Sequence, residues 1–119
     1  DHIRDSRERT TIILQIEDVA ALPHVAQIAA VEGVDALFVG RADLSVAMGK
    51  SVMDKEVVAT VEDICVAAQS VGTTVGMFTP QLDEIPDWRD RGASLFLLSS
   101  DQSMTLAGAK ALAEKVRVP

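Results

Sequence analysis

Four short apolar runs alternate with longer segments of helical period along this chain, and no other feature restricts the fold so much. The runs are residues 10–17 (TTIILQIE), 35–40 (DALFVG), 73–78 (TTVGMF) and 93–99 (ASLFLLS). Each is rich in β-branched or large apolar residues and too short for an ordinary helix. That is how a parallel strand covered on both faces reads.

Between and after the runs, apolar residues recur at helical spacing over 18–31, 54–71, 81–91 and 101–116. Asp18 stands where an N-cap belongs, and Gly33 lies just past the first helical segment. Val57, Val58, Val61, Ile64, Cys65 and Ala68 share one face of the second, which Gly72 ends. Pro86 starts or kinks the third segment, and Asp101 reads as the cap of the fourth. Residues 1–9 are charged and lack an apolar period, as in a lead-in turn or a helix end. The predicted order is βαβαβαβα. It implies a parallel sheet, either open with helices on both faces or closed into a barrel with helices outside.

At 119 residues the chain is read as one domain, residues 1–119. A formal net charge of -7 repels nucleic-acid phosphates and anionic lipid, so neither a nucleic-acid nor a membrane partner is expected. The single cysteine, Cys65, excludes an internal disulfide and a multi-cysteine zinc site. No apolar run has membrane-spanning length and no secretory leader opens the sequence, so a cytoplasmic setting is expected. The first methionine is Met48, which leaves open that the numbered chain is part of a longer product.

In parallel α/β folds functional groups gather at the carboxyl ends of the strands. Here those ends carry Gln15-Ile16-Glu17-Asp18, Gly40-Arg41-Ala42-Asp43, Thr79-Pro80-Gln81 and Ser99-Ser100-Asp101. Strand alternation puts Gln15 and Glu17 on one side. Glu17 and Asp43 come from neighbouring strand ends, and two adjacent carboxylates repel unless a cation lies between them. A hard divalent ion, Mg²⁺ or Mn²⁺, would serve. Asp43 has an alternative reading as the cap of a short turn over LSVAMG, and Asp18 reads as a cap. Glu17 is harder to dismiss, because a charge at the end of a buried strand is costly to desolvate unpaired. His2 and His24 read as surface residues, Cys65 and Trp88 as packing. None pairs with a base as a nucleophile would.

The stretches LQIED and AVEGVDALFVGRADLSVAMG resemble the second half of the HpcH/HpaI aldolases, metal-dependent enzymes that cleave 2-keto-3-deoxy acids to pyruvate and an aldehyde. The family carries a strand ending Q-x-E and a G-P-x-D-L-S-x-x-M-G loop. The later AAQSVGTTVGMF and GASLFLLSSDQSMTLAGAKAL are similar to its final units. The resemblance implies the C-terminal four units of a (β/α)₈ barrel, since a whole barrel needs about 250 residues. By position it makes Glu17 and Asp43 the ligands of Mg²⁺ or Mn²⁺. It places Gln15 beside the keto acid, and the amides of Ala42 and Asp43 on the substrate carboxylate. It also implies that the base histidine and a substrate arginine lie in the other half. The partner expected is therefore a second copy or an N-terminal half, and the lone chain should turn over little. Arg41 stands where the family usually has proline or a small residue; of an acidic substrate tail or solvent as its partner, solvent is expected. Two alternatives stand beside this reading: a citrate-lyase-β or malyl-CoA-lyase relative, and a receiver module. The latter would need an aspartate where the third strand runs into Phe78-Thr79-Pro80.

Overall fold

The computed structural model describes residues 2–117; Asp1, Val118 and Pro119, part of the expected domain, lie outside the described residues. Four strands form one sheet in the order β1-β2-β3-β4. They are β1 (Ile13–Ile16), β2 (Ala36–Val39), β3 (Thr74–Phe78) and β4 (Leu95–Leu97), every neighbouring pair parallel. The register sets Gln15, Phe38, Gly76 and Leu95 in one row across the sheet. Ile16, Val39, Met77 and Phe96 form the next row, pointing the other way.

Among the described residues six α-helices accompany the strands: α1 (His2–Arg9), α2 (Val25–Ala29), α3 (Arg41–Ala47), α4 (Lys55–Gln69), α5 (Ile85–Asp90) and α6 (Asp101–Val116). The core lies on one face only. Ile16, Leu37, Val39, Val75 and Met77 from the strands meet Val25, Leu44, Val61, Ile64, Cys65 and Trp88 from the helices. The opposite face is bare, with Ile13 46%, Phe78 40% and Leu97 56% exposed. Parallel strands need cover on both faces. Of the two architectures the sequence allows, this one-sided sheet is the half barrel: helices outside, the barrel's interior open.

Local chemistry explains most helix boundaries. Asp18 caps as expected, its Oδ1 accepting from the Ala20 N–H at 2.9 Å. The segment behind it is not one long helix, because Pro23 brings no N–H to an α-helical ladder. A 3-10 turn over Val19–His24 precedes the short α2. His24 lies at that junction, exposed, with Nδ1 3.2 Å from the Gln27 amide oxygen. α4 buries the anticipated face: Val57, Val61, Ile64, Cys65 and Ala68 are buried, with Val58 partly so. The Cys65 thiol is pushed up to about 11, chiefly by burial with Glu62 adding to it, so it stays a neutral core group. The cap of α6 is Ser100, which accepts from the Ser103 N–H at 3.2 Å; Asp101 only opens the first turn. Residues 2–9 are helical, where the charge pattern allowed only a turn or a helix end.

Every residue of α6 is exposed, Met104, Leu106 and Leu112 among them. With that helix uncovered, the radius of gyration is 17.9 Å; a compact chain of this length has about 13 to 14 Å.

Candidate functional site

A cavity of about 580 Å³ opens at the carboxyl ends of β1, β2 and β3. Its apolar wall includes Phe38, Met53 and Phe78; Gln15, Asp43 and Gln81 bring polar groups. Three of the four strand ends singled out in the sequence reach it. The fourth, Ser99-Ser100-Asp101, turns away into α6, with Ser99 at φ 61.

Gln15 and Glu17 do share a side: the Gln15 amide donates through Nε2 to Glu17 Oε2. Their place is fixed by Gly40 at the end of β2, whose N–H donates to the Ile16 carbonyl at 3.0 Å. A Cβ on Gly40 would stand 2.8 Å from Gln15 Nε2 and 3.1 Å from Glu17 Oε2. Gly40 is thus a notch into which the Gln15–Glu17 pair leans. The carboxylate of Glu17 is thereby brought over the β2 end, beside the turn that carries Asp43.

That turn is the start of α3, which the sequence pattern read only as a turn. Leu44 anchors it, wholly buried, and its N–H closes the first helical bond onto the Gly40 carbonyl at 2.8 Å. Ser45 ties back through Oγ to the Ala42 carbonyl at 2.7 Å. The D-L-S signature therefore divides its labour: Leu44 and Ser45 hold the turn, and Asp43 stays exposed in its first turn. The amides of Ala42 and Asp43 precede the hydrogen-bonded ladder, so no intrahelical carbonyl claims them.

Glu17 is exposed rather than desolvated, because the face it stands on is bare. The burial argument made for it from sequence does not apply to this chain. What the geometry provides is two exposed carboxylates from adjacent strand ends beside an amide, an oxygen-only donor set of the kind hard divalent cations take. Among the described residues no group of three or more His, Cys, Asp and Glu could hold a metal ion. Asp43 lines the cavity and Glu17 stands at its edge, outside that lining, so an ion held by the two carboxylates would leave most of its coordination to water and substrate.

Arg41 is the clear departure from expectation. It does not face solvent but is 8% exposed. Nη1 donates to Glu84 Oε2 at 2.8 Å, and the guanidinium lies over the Trp88 ring, 4.7 Å from its centroid. Trp88 Nε1 donates to the same carboxylate oxygen at 3.1 Å. The backbone turn at Gly40 and Arg41 aims the side chain towards α5, where a planar fork finds both an acid and an aromatic face. Nothing in the apolar period over 81–91 marked Glu84, although its spacing to Trp88 is one helical turn.

Burial tends to raise the Glu84 carboxyl, but hydrogen bonds from Arg41 and Trp88 outweigh it and hold the group below the ordinary glutamate range. A depressed carboxylate stabilises the fold above its unfolded pKa, and the stabilisation is lost as pH falls through the folded value. The stability gap between wild type and Glu84→Gln should therefore be widest at neutral pH and shrink below about pH 4.5. Urea midpoints at pH 7 and pH 3 check this; a gap that does not change with pH contradicts it.

The family model described as HpcH/HpaI aldolase/citrate lyase matches residues 1–107. A hydroxypyruvate/pyruvate aldolase of Delftia acidovorans is 35% identical over 106 residues, 87% of this chain and 39% of the relative. A 5-keto-4-deoxy-D-glucarate aldolase of Salmonella arizonae is 34% identical over 116 residues, 96% of this chain and 45% of the relative. A crystal structure of an HpcH/HpaI aldolase/citrate lyase family protein from Burkholderia cenocepacia superposes with a TM-score of 0.84 at 29% identity. It is matched over 98% of this chain and 48% of its own. The chain thus spans less than half the length of each of these proteins.

Proposed function

The chain belongs to the HpcH/HpaI aldolase/citrate lyase family, and from that premise we propose that it is the metal-binding half of a pyruvate-forming 2-keto-3-deoxy acid aldolase. The observation that carries this is the Gly40 notch, which seats the Gln15–Glu17 pair against the turn bearing Asp43.

In this reading Glu17 and Asp43 hold a Mg²⁺ or Mn²⁺ ion. The ion, when bound, supplies Lewis-acid stabilisation for the charge that develops on the keto oxygen as the C–C bond breaks. Gln15 keeps the Glu17 carboxylate turned towards Asp43 and lies beside the keto acid. The amides of Ala42 and Asp43 receive the substrate carboxylate, leaving the carbon chain to run along Phe38 and Met53. The proton of the substrate hydroxyl needs an acceptor, and His24 sits at the start of α2, outside the lining of the cavity. That group and a substrate-binding arginine belong to the other four units of the barrel.

The unpaired edges β1 and β4 and the bare apolar face fit such a completion, by a second copy or by an N-terminal half. No helix among the described residues is long and apolar enough to cross a membrane, and we place the enzyme in the cytoplasm. Alone, the chain should show little retro-aldol turnover. Its ion and keto-acid binding should survive separation from the other half. Mn²⁺ titration followed by water-proton relaxation should reveal one bound ion per chain and a further change on adding pyruvate. An ion indifferent to pyruvate, or no ion bound, overturns the reading.

A further inference from the structure

Arg41 carries chemistry that the proposed reaction does not use. Its charge is paired with Glu84 and its plane is stacked on Trp88. Yet it sits two residues before Asp43, as the first residue of α3. Nη2 also lies 3.8 Å from the sulfur of Met53, on the loop between α3 and α4. One side chain thus joins three loops at the mouth of the cavity: the β2–α3 turn, the α3–α4 loop and, through Glu84, the β3–α5 connection. The network continues past Trp88, because Arg91 lies 5.6 Å from the centroid of the same Trp88 ring and pairs with Glu62 on α4.

We infer that Arg41 is a positioning residue, which locks the first turn of α3 so that the Asp43 carboxylate faces Glu17 across the Gly40 notch. The inference rests on Glu17 and Asp43 binding a divalent ion. The physical reason is that α3 is a helix of 7 residues, too short to hold its own orientation from backbone bonds alone. Leu44 pins the turn from below and Ser45 ties it to the Ala42 carbonyl within the helix; Arg41 adds the side-chain tie from its first residue to Glu84 and Trp88 across the cavity mouth.

The alternative, that Arg41 matters only as a nearby charge, predicts the opposite sign. A cation next to a divalent ion repels it, so removing the charge should tighten binding. A lock predicts that binding loosens, by about 10-fold, the effect typical of groups that orient metal ligands. Two variants separate the cases. Arg41→Met removes the charge. Arg41→Lys keeps it but loses the planar fork and the stack on Trp88, and it preserves the fold if the first variant does not. Mn²⁺ dissociation constants and melting temperatures are measured for both, with Val61→Ala as a control that loosens the core away from the site. The expected result is weaker Mn²⁺ binding in both Arg41 variants and unchanged binding in Val61→Ala despite its lower melting temperature. Tighter or equal binding in the variants, with the wild type binding normally, overturns the lock while leaving the ion site standing. A wild type that binds no Mn²⁺ overturns both.

Discussion

Gly76→Ala should unfold this protein 8 to 15 °C below wild type, the largest stability loss expected from a single methyl group anywhere in the sheet. Gly76 is buried in the middle of β3, in register with Phe38 on one side and Leu95 on the other. A Cβ there would stand 2.7 Å from the Leu95 carbonyl oxygen and 2.8 Å from the Leu95 Cβ. A flexible side-chain tip could yield, but a backbone carbonyl in a parallel ladder cannot move without parting the strands. β4 has only the residues Leu95–Leu97 with which to hold on, besides bonds from Ser94 to Val75 and from Thr79 to Leu97. Overpacking of this kind costs roughly 2 to 3 kcal/mol, and each kcal/mol is worth about 4 to 5 °C in a domain of this size. Gly108→Ala is the matched control. Gly108 lies in exposed α6 with nothing within 4 Å of its would-be Cβ, so alanine there should be neutral or slightly stabilising. Thermal melts of both variants decide the matter. A Gly76→Ala melt within a degree or two of wild type would mean that β3 and β4 are not paired in this register.

The order of strands and helices could be read from the sequence because burial imposes a period, and the period survives in the residues. The face of α4 was legible for that reason, as was the Gln15–Glu17 side of β1. What escaped notice lacked a period. α3 is short and half polar, and its reason for being helical lies in Leu44 and Ser45 bonding back to the turn, which no spacing rule weighs. The Arg41–Glu84 pair spans 43 residues, and sequence alone carries no trace of a partner so distant. The exposure of Glu17 was misjudged on a different ground: the strand is apolar because a whole barrel would cover it, and here one side lies open.

Glu17→Ala should weaken Mn²⁺ binding by roughly 30- to 150-fold, the loss expected on removing either of the two carboxylate ligands. Two unit charges 4 Å apart attract by about 1 kcal/mol in water and about 4 kcal/mol at an effective dielectric of 20. The site is exposed but its ion is divalent, so losing one of two carboxylates should cost about 2 to 3 kcal/mol, which is that range of affinity. Gln15→Ala should cost less, about 10-fold, since Gln15 acts by orienting Glu17. The telling comparison is the next residue. Asp18 is also an exposed carboxylate, but its Oδ1 is engaged by the Ala20 N–H at the 3-10 turn, and it points along the chain rather than into the notch. Asp18→Ala should therefore lower stability by about 1 kcal/mol and leave Mn²⁺ affinity unchanged. Calorimetric titration of the three variants separates a built site from a merely acidic surface. If Asp18→Ala and Glu17→Ala weaken the ion equally, the binding is diffuse attraction to a chain of net charge -7, and the Gly40 notch has no part in it.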